Sequence, residues 1–125
     1  MIHLPGVDPS RLRPAAAAGL ILDASDPLLR VVACPGAPAC AQARASVRPL
    51  ARALAPRLPA GRLLHVSGCA KGCALPGPAD LTLVGRDDGG FDLVRDGAPW
   101  DEPARRAILT RGDGDLRRLT DALSL

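Results

Sequence analysis

Aromatic residues are almost missing from this chain: of 125 residues, Phe91 and Trp100 are the whole set, and there is no tyrosine. A groove for single-stranded nucleic acid stacks bases on aromatic faces, so no nucleic-acid partner is expected. Lysine is equally scarce, with Lys71 standing alone against fifteen arginines, a ratio that reads as compositional bias of the source. The arginines are scattered and the formal net charge is only +3, which gives no basic patch. No stretch approaches the roughly 20 apolar residues of a membrane span. The nearest thing to an export signal is Arg11 and Arg13 followed by the apolar run 15–22. It is short, lacks a cleavage site and ends in Asp23, so it reads as a helix leading into a loop. The expected compartment is therefore the reducing cytoplasm, where four cysteines are ligands rather than disulfides. There is no Ser-His-Asp set, phosphate-binding glycine loop or paired-acid motif to support a hydrolase or a kinase.

What is present is apolar content of 47%, enough for one domain over 1–125 with a core of Leu, Val and Ala. Residues 1–9, with Pro5, Gly6 and Pro9, read as an irregular lead-in that includes the uninformative His3. Ser10 is placed to cap a helix over 11–20, with Pro14 in its first turn. The apolar run 28–33 predicts a buried strand leading into Cys34. Ala39, Ala43, Val47, Leu50 and Leu54 share one helical face, and Arg44, Arg48 and Arg52 share another. That spacing predicts a helix over 39–54 which Pro49 kinks or splits. A second strand is predicted over 62–67, leading into Cys69, and two more over 81–85 and 91–95. The last two flank Asp87-Asp88-Gly89-Gly90, a hairpin turn signal. A loop through Pro99 and Pro103 leads to a polar helix over 113–123. The sum is a two-layer α/β (α+β) unit, a mixed sheet with flanking helices.

Chemistry concentrates in the cysteines. They form two pairs, Cys34-x5-Cys40 and Cys69-x3-Cys73, and 28 residues separate the inner members. Each pair lies where a predicted strand gives way to a loop rich in glycine, proline and alanine. Glycines let the backbone approach an inorganic cube closely and aim N–H groups at its sulfurs, which stabilises its negative charge. Cys40 is expected in the first turn of the following helix, where the dipole favours thiolate. Structural zinc is the alternative, but its knuckles usually space cysteines two to four apart, and the x5 spacing fits poorly. Glycine-flanked pairs at two strand ends also argue against four unrelated thiols.

Cys34-Pro-Gly-Ala-Pro-Ala-Cys40 followed by Gly68-Cys69-Ala-Lys-Gly-Cys73 resembles the cluster motif of siroheme-dependent sulfite and nitrite reductases. It is closer still to that of their relatives, the precorrin-3B synthases, because Ala70-Lys71 stands where the reductases carry Pro-Asn. The similarity runs over about 19–103. It implies a nitrite/sulfite reductase-like 4Fe–4S domain in which Cys34, Cys40, Cys69 and Cys73 each ligate one iron of a [4Fe–4S] cluster. In the reductases the cysteine matching Cys73 also bridges to siroheme. Precorrin-3B synthases bind the tetrapyrrole itself and use dioxygen, with a further non-haem iron, to hydroxylate precorrin-3A in aerobic cobalamin biosynthesis. Both groups have two related halves, and this chain matches only the cluster-bearing C-terminal half; the N-terminal substrate half, or a second subunit, is expected elsewhere.

The leading functional expectation is thus a precorrin-3B synthase-like oxidoreductase whose iron–sulfur part is this chain. A siroheme sulfite or nitrite reductase fragment and a non-catalytic electron-transfer module are the alternatives. Ser67 is a candidate hydrogen-bond donor to a cysteine sulfur of the proposed cluster. Lys71, between two proposed ligands, either offsets cluster charge, meets a substrate carboxylate or points to solvent. The arginine stripe 44/48/52 reads as a solvated face, with docking of precorrin carboxylates or an acidic donor such as ferredoxin as the other use. His65, four residues before Cys69, reads as structural, with hydrogen bonding near the cluster or iron ligation as the other use.

Overall fold

In a computed structural model of the chain, residues 5–108 and 117–121 are described. The centre is a five-stranded sheet: β1 (Val31–Ala33), β2 (Leu64–Ser67), β3 (Ala79–Gly85), β4 (Phe91–Gly97) and β5 (Arg105–Ile108). Spatial order equals chain order. The first three strands run parallel and the last two are antiparallel to their neighbours, so the sheet is mixed and the fold α+β. Helix α1 (Arg13–Ala17) precedes the sheet, and α2 (Arg48–Leu54) crosses from β1 to β2.

Strand alternation divides the side chains cleanly. Val31, Ala33, Leu64, Val66, Leu81, Leu83, Leu93, Phe91 and Ile108 line one face and pack with Val47, Ala51, Leu54 and Leu58 from the α2 region. Leu119, from the helical stretch 117–121, joins them and is fully buried. The opposite face carries His65, Ser67, Thr82, Val84 and Val94, all buried as well. The central strands are therefore covered on both sides, as parallel strands usually are. With aromatics scarce, Phe91 is the largest fully buried side chain.

Several expected boundaries move. Ser10 caps nothing: Asp8 accepts the Ser10 N–H at 2.8 Å to open a 3-10 turn over Pro9–Leu12, and α1 follows only to Ala17. The run at 28–30 is not strand, because Asp26 accepts the Leu28 N–H and caps a 3-10 turn over Pro27–Arg30. The helix expected over 39–54 exists only as α2, with Pro49 in its first turn rather than at a kink. A proline is accommodated there because its missing N–H had no helical partner to lose. Residues 39–47 are turn and loop, so Cys40 has no helix dipole behind it, and Arg44 does not share a helix with Arg48 and Arg52. Strand β2 starts at Leu64 rather than 62. The hairpin is longer than predicted at both ends, and β5 was not predicted at all. Of the C-terminal helix expected over 113–123, residues 117–121 are helical and the remainder lies outside the described residues, as do positions 1–4 of the lead-in with His3.

Candidate functional site

Strands β1 and β2 are adjacent and parallel, and each hands its chain to a cysteine loop at its carboxyl end. Ala33 pairs with Val66, so Cys34 leaves the sheet beside Ser67 and Gly68. Carboxyl ends of parallel strands are where open α/β sheets usually place ligands. The Cys34 N–H donates to the Val66 carbonyl at 3.4 Å, which carries the ladder one residue past β1.

Small residues then let the loops interlock. A Cβ built on Gly68 would meet the Ala43 Cβ at 2.7 Å and the Gly36 Cα at 3.4 Å. A Cβ on Gly85, at the end of β3, would stand 2.8 Å from the Gly68 carbonyl oxygen. Three backbone segments thus touch where any side chain would force them apart. Hydrogen bonds fix the contact: the Arg44 N–H donates to Gly68 at 2.8 Å, the Ala37 N–H to Ala45 at 3.0 Å and the Cys40 N–H to Gly36 at 2.8 Å. The Arg44 side chain pairs with Asp87 on the β3–β4 turn, a link from the first cysteine loop to the hairpin.

All four cysteines are free thiols. Cys34 is buried, Cys40 and Cys69 are half-buried and Cys73 is exposed. The Gly68 N–H donates to Cys34 Sγ at 3.2 Å. That is a backbone donor aimed at a sulfur, the arrangement that stabilises a thiolate or a sulfide-bearing centre. Ser67 Oγ does not reach a sulfur; it donates to the Cys69 carbonyl at 2.7 Å and so holds the start of the second loop. Lys71 is exposed in that loop. Among the described residues, no three His, Cys, Asp or Glu side chains converge into a group that could hold a metal ion. Loop positions and donor chemistry suit a cluster; the four sulfurs are not gathered around one point.

His65 lies in β2 between Val32 and Thr82, fully buried, with neither ring nitrogen hydrogen-bonded among the described residues. Burial pushes its pKa below the usual histidine range, so the ring is held neutral. Among the described residues, no hydrogen bond joins its ring to a cysteine sulfur. Thr82, its neighbour, spends its hydroxyl on the Gly97 carbonyl at 2.8 Å.

The hairpin end of the sheet is ordered by arginine and aspartate. Asp92 and Asp88 flank Arg86 and raise its pKa, Asp92 having the larger effect. The Gly90 N–H on Asp88 lowers that carboxyl, with Arg86 adding to the effect. Asp80 accepts the Leu63 N–H at 2.7 Å and pairs with Arg62, which together hold it below the usual carboxylate range. These contacts brace β2, β3 and the turn at 86–90.

Over 88 residues the chain is 43% identical to a precorrin-3B synthase of Sinorhizobium sp.. The match takes in 67% of this chain and 19% of that protein, so the chain spans about a fifth of the relative's length. The identity supports a relationship to that family. No family model matches the chain. Among the described residues, no helix is long and apolar enough to cross a membrane.

Sequence reasoning located the cysteine loops and the glycines around them. It missed Gly85, Ala43 and Ala45 as spacers and Asp87 as the partner of Arg44. Gly85 carried a signal, being a glycine at the end of a β-rich run, where close approach by another backbone is the usual cause.

Proposed function

We propose that this chain is the iron–sulfur part of a precorrin-3B synthase-like oxidoreductase of aerobic cobalamin biosynthesis, with Cys34, Cys40, Cys69 and Cys73 as the ligands of a [4Fe–4S] cluster. The observation that carries the reading is the meeting of the two cysteine loops at the carboxyl ends of β1 and β2, with the Gly68 N–H on Cys34 Sγ. Identity with a precorrin-3B synthase supports the choice of family. The cluster would supply one-electron transfer to the oxygen-dependent hydroxylation of precorrin-3A.

The chain's own residues have separable tasks in this reading. Gly36, Gly68 and Gly85 keep side chains out of the space between the loops. Ser67 holds the start of the second loop, and the Arg44 N–H on the Gly68 carbonyl fixes that loop against the first. Cys73, on the solvent side, faces the tetrapyrrole, and Lys71 beside it meets a carboxylate of that substrate. The residues that enclose the rest of the macrocycle belong to the substrate half or a second subunit, and no residue of this chain is assigned to the additional non-haem iron.

The test is iron, acid-labile sulfide and zinc content, with a visible spectrum, on protein purified without oxygen. About four irons and four sulfides per chain are expected. Stoichiometric zinc without sulfide would replace the cluster with a structural metal site and remove the oxidoreductase reading. A siroheme band would move the assignment to a sulfite or nitrite reductase. A cluster with no tetrapyrrole binding, even beside the substrate half, would leave an electron-transfer module.

A further inference from the structure

Trp100 is the largest side chain in a chain with almost no aromatics, yet it is 57% exposed. Its position is fixed. The turn after β4 is closed by the Asp101 N–H on the Ala98 carbonyl at 3.0 Å and by the Ala98 N–H on Asp101 Oδ2 at 2.7 Å. Pro99, second in that turn, adds its locked φ. Inward, the indole rests on the second cysteine loop: a Cβ on Gly72 would stand 3.1 Å from Trp100 Cζ3 and 3.0 Å from Pro99 Cγ. Gly72 has φ +64, so its place beneath the ring needs both the absent Cβ and the left-handed backbone. Lys71 and Cys73, on either side of Gly72 in the chain, are exposed.

An exposed indole on a rigid turn, beside an exposed cation and an exposed thiol, is a pre-organised contact for a ligand. We infer that Trp100 is the contact surface for a flat, conjugated, anionic ring seated over the Cys69–Cys73 loop, with Lys71 as its counter-charge. One indole suits one flat ring, which stacks on it and covers it. A protein partner would ask for roughly 800 Å² on this side, and a single exposed aromatic with one lysine does not supply it. The identity of the ring as a tetrapyrrole rests on the proposed function; contact through Trp100 does not depend on the cluster.

Because Trp100 is the sole tryptophan, all tryptophan emission comes from it, and the Trp100→Leu variant read by porphyrin absorption locates the contact. The 125-residue chain is titrated with uroporphyrin, a planar polycarboxylate, following both tryptophan emission and the porphyrin's own absorption band. Saturable quenching at one porphyrin per chain is expected. Trp100→Leu, read by porphyrin absorption, and Lys71→Glu should each weaken binding about tenfold. Leu29→Ser, which removes an equally exposed apolar side chain elsewhere, should leave it unchanged. Trp100→Leu should also keep the wild-type iron and sulfide content, since the indole is no ligand. Equal binding by Trp100→Leu and wild type, or equal weakening by Leu29→Ser, overturns the inference. A metal-free chain that still binds porphyrin through Trp100 keeps it while removing the cluster.

Discussion

Gly36 and Val47 are packed so tightly that a Cβ on Gly36 would lie 2.7 Å from Val47 Cγ2 and 3.0 Å from the Val47 backbone nitrogen. Val47 is fully buried at the entry to α2, so it cannot retreat. Gly36 also has φ +69, where an L side chain is strained by about 1–2 kcal/mol before any collision. Gly36→Ala is therefore expected to cost about 2–4 kcal/mol, measured by urea denaturation of the metal-free protein. A loss under half a kcal/mol would mean that the first cysteine loop is not seated as described.

The core against α2 makes a second, simpler prediction. Leu54 is fully buried among the apolar face of the sheet. Leu54→Ala should destabilise the chain by about 2–5 kcal/mol, the range for a leucine whose cavity cannot collapse. Arg52→Ala, two residues earlier and on the exposed side of α2, should change the denaturation midpoint by little.

His65 predicts a pH dependence. Its folded pKa lies below the ordinary 6.5, so on acidification the unfolded chain takes up this proton first. Stability is then complete above about pH 6.5 and falls as pH drops towards the lowered folded value, by at most about 1.4 kcal/mol per pH unit. Val32 and Thr82, its register neighbours, do not titrate. Denaturation at pH 7.5 and 5.5 should show the loss, and His65→Leu should shrink it. Because the ring nitrogens have no partners among the described residues, the same variant should be more stable at pH 7.5 by about 1–3 kcal/mol. An unchanged pH profile in His65→Leu would assign the acid sensitivity to other groups.

Cys34→Ser and Cys69→Ser are each expected to lose most iron and sulfide, and to unfold at lower denaturant than the loaded wild type, since metal binding adds to folding. Wild-type iron content in either variant would remove that cysteine from the ligand set.

The hairpin was legible because both of its signals are local: alternating apolar residues and the Asp-Asp-Gly-Gly turn sit within one short stretch. The helix over 39–54 was misread for the opposite reason. Ala43 and Val47 follow helical spacing, but Ala43 faces Gly68 and Val47 faces Gly36, contacts made by a loop and invisible to periodicity. Strand β5 gave no pattern, because Arg105, Arg106 and Ala107 are exposed at an edge and Ala107 has φ +56. The cysteines were legible as a set through their spacing and flanking glycines. The bond from Gly68 to Cys34 depends on the β1–β2 register, and the loop contact of Trp100 depends on the turn after β4; neither relation is local in sequence.

Chain order and spatial order coincide across the sheet, and this implies a sequence of assembly. Each strand finds its partner in the next one along the chain, so no pairing skips a strand. The β3–β4 hairpin closes across a few residues and forms early, while β1 must wait for α2 to pack before it can join β2. Amides of β3 and β4 should be the last to exchange with heavy water, and those of β1, the strand that leads into Cys34, among the first. The strand that leads into Cys34 is then the last to be completed and the first to open, which would leave the proposed cluster a way in without unfolding the rest.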